Sequence, residues 1–130
     1  LEVIDSYRED WIVDEMRVLH PDQFLHLIEG QRQFGVPIHS VKYLSALSYI
    51  DASGRQGFSN REKREFIASA TTLLEEASVL ERSVEVPEMY RELGKLKENS
   101  GDTEGAKQAY KKYLELLPDA WDVRFIQRKL

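Results

Sequence analysis

Apolar residues recur along the chain at spacings of three and four, the period of an amphipathic helix, and nowhere alternate with polar ones long enough to ask for a strand. Residues 3–19 carry Ile4, Tyr7, Trp11 and Val18 on one stripe, widened by Ile12 and Met16, and predict a first helix. Pro21 suits the first turn of a second helix, which carries Phe24, Leu25, Leu27 and Ile28 and stops near Gly35, with Pro37 just beyond. Ser40 stands where it would cap a third helix through Val41, Leu44, Leu47 and Ile50, and Gly54 and Gly57 break the chain after it. Ser59 and Glu62 have the spacing of a capping box, in which hydroxyl and carboxylate each satisfy a backbone N–H left free at a helix start. They open a long helix predicted over 60–82, a structural spine whose seam is Phe66, Ala70, Leu73, Ala77 and Leu80. Further helices are predicted over 87–99, over 103–117, where Pro118 stops the chain, and over 120–130, capped by Asp119 and with Arg128 and Lys129 at its C-terminal end. The expected fold is a single all-α domain of antiparallel helical hairpins.

Composition narrows the chemistry. The 130 residues hold 23 acidic and 18 basic side chains, a net charge of −5, which argues against nucleic acid because phosphates need a basic footprint. The absence of cysteine excludes disulfides, thiolate zinc sites, iron–sulfur clusters and thiol nucleophiles, and leaves cytosol and periplasm both open. No apolar run approaches the roughly 18 residues of a membrane span, so direct membrane insertion by this segment is not expected. A protein or peptide is the expected partner. The chain begins at Leu1 without an initiator methionine, and the expectation is that it belongs to a longer protein with its neighbours out of view.

Residues 87–119 hold the one specific pattern: Tyr90-x-x-Leu93-Gly94, then Gly101-Asp102, then Ala106-x-x-x-Tyr110, Tyr113-Leu114-Glu115-Leu116 and Pro118. Gly94 and Ala106 are small where two helices would approach closely, Tyr90 and Tyr110 are large where they would fill the grooves, and Gly101-Asp102 makes a tight turn. This stretch resembles a tetratricopeptide repeat, a unit of about 34 residues. Lys97 departs from the family pattern where an aromatic is usual, suggesting an exposed edge. Tyr113 departs where a small residue is usual, suggesting that something other than a standard repeat packs there. The tail from Pro118 to Ile126 resembles the capping helix common in bacterial tetratricopeptide proteins, with Val123, Ile126 and Trp121 covering the last pair. One repeat length back from Gly94 falls on Asn60, where no trace of the pattern survives. The resemblance implies that residues 1–86 are divergent hairpins stacked into a short right-handed solenoid, since such units rarely stand alone. The competing architecture is a bundle in which the first three helices wrap the long one.

Candidate catalytic chemistry is thin. His20 and His26 do not share a helical face, His39 falls in a predicted loop, and the pair His26–Glu29 lacks a third ligand. Gly30 and Gly35 have the spacing of a phosphate loop, but Val36-Pro37 stands where Lys and Ser or Thr are required. The neighbours Glu75 and Glu76, or Asp14 and Glu15, point to different sides of a helix. No enzyme, cofactor or metal site is expected. The family resemblance instead implies a concave binding surface on the first helix of the repeat, formed by Glu88, Arg91, Glu92, Lys95, Glu98 and Asn99. Arg91 and Lys95, one turn apart, would then pair with a peptide carboxylate, against the plainer alternative of pairing with the helix's own glutamates.

Charge is polarised along the chain. Residues 1–15 carry six acidic side chains against Arg8, a net −5, whereas residues 95–112 carry five lysines against three acids, a net +2. Head-to-tail or dimeric association is therefore one expectation. Phe58, in the glycine-rich loop, is expected to fold back on the next helix, the alternative being an exposed partner contact. The functional expectation is a non-catalytic module that binds a protein or peptide or scaffolds an assembly. Its alternatives are a self-association domain and the regulatory part of an enzyme whose catalytic portion lies elsewhere.

Overall fold

The computed structural model describes residues 11–130, and side chains from Asp14 onward. Ile4, Tyr7, Arg8 and the acidic residues Glu2, Asp5, Glu9 and Asp10 lie outside the described residues, as do the side chains of Trp11 and Ile12. All regular structure among the described residues is helical. No described helix is long and apolar enough to cross a membrane. The chain divides into two compact units, Leu1–Ala77 and Ser78–Leu130.

In the first unit, α1 (Trp11–Val18), α2 (Pro21–Gly30) and α3 (Ile38–Ser53) pack together, and α4 (Asn60–Ser78) comes next along the chain. Phe24 and Ile28 of α2 meet Val36, Val41 and Leu44 in the core, with Met16 and Leu19 against them. Pro21 opens α2 as expected, and the ring of His20 caps it by accepting the Asp22 N–H at 3.1 Å. The predicted run to Gly35 is shorter in fact. The helix tightens into a 3-10 turn at Gln31–Phe34, closed by Gly35 at φ 104°, a conformation glycine adopts at little steric cost.

Helix α3 begins before the predicted cap, so His39 and Ser40, expected as loop and cap, are buried in its first turn. Its buried side chains run all round it, from Val41, Tyr43 and Leu44 to Tyr49 and Ala52, and include Ser45 and Ser48. A helix with no polar face lies at the centre of its unit, which makes α3 the spine rather than α4. Helix α4 stops at Ser78, not Arg82, and a 3-10 turn stands at Glu81–Glu85. Its buried seam is Phe66, Ala70, Leu74 and Ala77: the step of four from Ala70 selects Leu74 in place of the expected Leu73. It reaches neighbours through long side chains, with Phe66 5.8 Å from the Tyr49 ring and Glu76 2.9 Å from the Lys42 ammonium.

The capping box forms: the Ser59 N–H donates to Glu62 Oε1 at 2.9 Å and the Glu62 N–H to Ser59 Oγ at 3.1 Å. Phe58 folds back, its ring edge-on to Phe66 at 4.9 Å and to His20 at 5.6 Å.

The second unit contains the 3-10 turn at Glu81–Glu85, α5 (Glu88–Ser100), α6 (Thr103–Leu116) and the short α7 (Val123–Gln127). Helices α5 and α6 form a hairpin across Gly101-Asp102. Gly101, at φ 90°, ends α5: its N–H bonds the Glu98 carbonyl at 3.1 Å and the Asp102 N–H bonds the Lys97 carbonyl at 2.9 Å. Asp102 then caps α6 by accepting the Gly105 N–H at 2.9 Å. Between the helices, the Tyr110 ring packs against Gly94, so close that a Cβ there would stand 2.6 Å from Cε1. Lys97 is not an exposed edge, because its stem covers Gly105 and its ammonium lies 3.4 Å from Asp102.

The chain stops at Leu116, ahead of Pro118, but does not resume as one helix over 120–130. Residues 117–122 form turns in which the Ala120 N–H bonds the Leu117 carbonyl and the Val123 N–H bonds the Ala120 carbonyl, both at 3.1 Å. Asp119 is thus a turn residue, and Asp122 precedes α7 with its carboxylate engaged elsewhere.

Candidate functional site on helices α5 and α7

Helix α5 buries Met89, Tyr90, Leu93 and Leu96 and turns its charged residues to a second face. The outcome for the six residues expected to form a binding surface is uneven. Arg91 is committed within the fold: its guanidinium bonds Asp122 Oδ2, and its Nη1 reaches Glu92 at 3.0 Å. Lys95 lies half-exposed, 3.5 Å from the other Glu92 oxygen. Glu98 receives the Lys129 ammonium on both oxygens at 3.0 Å and the Tyr110 hydroxyl at 2.9 Å. Glu88 and Asn99 are both exposed. Arg91, Lys95, Glu98 and Asn99 do come together, around a 160 Å³ recess completed by Phe125, Ile126 and Lys129 of the tail.

The tail that lies along this face is held by Asp122. Only 4% exposed, Asp122 accepts from Arg91 on one oxygen and from the Tyr113 hydroxyl on the other at 2.8 Å. Burial pushes its carboxyl up, but the Arg91 and Tyr113 bonds outweigh that and hold it below the ordinary aspartate value. The Tyr113 hydroxyl is pushed up to about 12, by burial first and by Asp122 second. Tyr113, the residue that departs from the repeat pattern, is therefore the anchor of the tail. Glu98 is likewise held below the ordinary glutamate value, chiefly by the Lys129 bond and then by that of Tyr110.

With Asp122 and Ile126 turned inward, the opposite side of α7 faces solvent. Trp121 is 85% exposed and Phe125 56% exposed, so Trp121 does not cover the last helix pair as expected, whereas Ile126 does. The Arg91 guanidinium lies 5.6 Å from the Trp121 ring centroid and the Lys129 ammonium 4.7 Å from that of Phe125. Together with Arg91, Asp122, Val123, Arg124 and Arg128, the two rings line a groove of 570 Å³. Among the described residues, no carboxylate lies within ion-pair distance of Arg124 or Arg128.

Arg124, Phe125 and Arg128 were missed as site residues, although the signal is present: Trp121 and Phe125 are four apart, as are Arg124 and Arg128, while Asp122 and Ile126 share the other face. Among the described residues, no group of three or more His, Cys, Asp or Glu is placed to hold a metal ion. His26 is exposed, and His20 and His39 are far from this face in sequence and serve as cap and buried side chain.

By fold and site, the chain is an all-α protein whose C-terminal hairpin and tail present an aromatic, cationic groove. Comparison with protein-family models, with curated proteins and with solved structures finds no match.

Proposed function

We propose that this chain is a non-catalytic interaction module, resembling the tetratricopeptide type, that binds a protein or peptide across the surface of α5 and α7. The observation that carries this reading is the pair of solvent-facing rings Trp121 and Phe125 set between cationic side chains. Apolar surface of that kind, rimmed by charge, marks interaction sites. Covering Trp121 fully by a partner is worth about 4 kcal/mol by area. The hairpin of α5 and α6, with Gly94 against Tyr110 and a glycine turn at Gly101, supports the resemblance.

The reading is tested by panning a random peptide library against the full chain. Enriched peptides that compete with one another and lose affinity with Trp121→Ala are the expected result. A library with no enrichment, or binders indifferent to Trp121→Ala and Lys95→Glu alike, would overturn it. Arg91→Glu is a poor probe, because it strands Asp122 and damages the fold.

A further inference from the structure

We infer that the groove on α7 recognises an acidic peptide segment that sets one apolar side chain against Trp121 and Phe125 while its carboxylates meet Arg124 and Arg128. This rests on the proposed binding role and adds the chemistry of the partner. The argument is charge complementarity. Arg91 and Lys129 have their countercharges within the fold, in Asp122 and Glu98. Arg124 and Arg128 have none among the described residues, although the chain as a whole carries an excess of acid. Two arginines one turn apart offer planar donor pairs suited to carboxylates, and the stretch 121–130 is net +2, with three basic residues against Asp122. The neighbouring rings give such a partner an apolar anchor that would bury beside the charges, which strengthens them by lowering the local dielectric.

Two other partners share part of this chemistry and fit less well. An anionic membrane surface prefers a long amphipathic helix, whereas α7 has 5 residues, and the net charge of −5 is repelled by it. A nucleic acid meets the same repulsion.

The test uses the full chain and a fluorescein-labelled peptide of aspartates and glutamates around one central leucine. Its companions are a version with every acid replaced by its amide, and one with serine for leucine. Anisotropy is expected to show binding of the acidic peptide, with both companions weaker by about tenfold or more. Arg124→Glu/Arg128→Glu, both on exposed positions, is expected to cause a similar loss with an unchanged thermal melt. Equal binding of acid and amide peptides, or an unaffected double reversal, would overturn the inference. So would binding to phosphatidylserine vesicles in place of the peptide. Library peptides that bind through Trp121 but ignore the arginine reversal would refute this inference and leave the proposed function standing; no binding by any peptide would refute both.

Discussion

Asp122 and Trp121 are neighbours with opposite consequences. Asp122 holds Arg91 and Tyr113, so Asp122→Asn leaves the partly buried Arg91 guanidinium with Glu92 as its one remaining carboxylate partner and should cost about 2 kcal/mol, read by urea denaturation. Its ionised form is favoured in the folded chain, so its contribution is full above the ordinary aspartate value of 3.8 and is lost as pH falls below that value. Wild type should therefore lose stability on acidification through this range more steeply than Asp122→Asn, and parallel curves would assign the acid sensitivity elsewhere. Trp121→Ala, by contrast, removes an exposed ring and should leave the melt within about 0.5 kcal/mol of wild type. Gly94→Ala should cost about 1–3 kcal/mol by chemical denaturation, because the Tyr110 ring it would strike is buried and its hydroxyl is tied to Glu98.

At the level of elements, the capping box of α4 offers the cleanest local test. Ser59→Ala should lower stability by about 1 kcal/mol, and Glu62→Gln by less, since an amide still accepts the Ser59 N–H. The start of α4, the turn at Gly101-Asp102 and the stop before Pro118 were legible in the sequence because each depends on backbone groups and side chains within a few residues. Features that depend on the surroundings were not. Ser40 reads as a cap by type, but Pro37 fixes an earlier start and α3 is enclosed on all sides, so Ser40 is buried. Asp119 reads as the cap of a C-terminal helix, yet the chain spends residues 117–122 in turns that carry Asp122 to Arg91 and Tyr113, a tie between residues 31 apart. The same tie explains the candidate site. Arg91 was singled out by its type and place on α5, but it is committed to Asp122, and on this face the cations with no carboxylate partner among the described residues are Arg124 and Arg128.

For the whole molecule, the net charge of −5 hides its distribution: residues 1–15 are net −5, whereas the stretches 95–112 and 121–130 are each net +2. A partner drawn to the tail should therefore bind faster, and more tightly, at low ionic strength, and raising salt should weaken it. The central claim is that a peptide segment docks on α5 and α7 beside Trp121, and heteronuclear NMR of the isotope-labelled chain, titrated with a library-selected peptide, tests it most directly. The account predicts that the Trp121 indole signal and the amides of Arg91, Arg124 and Phe125 shift with a common affinity while those of Phe24 and Ile28 stay in place. Shifts confined to the Phe24 and Ile28 core, with the Trp121 indole unmoved at saturation, would contradict it.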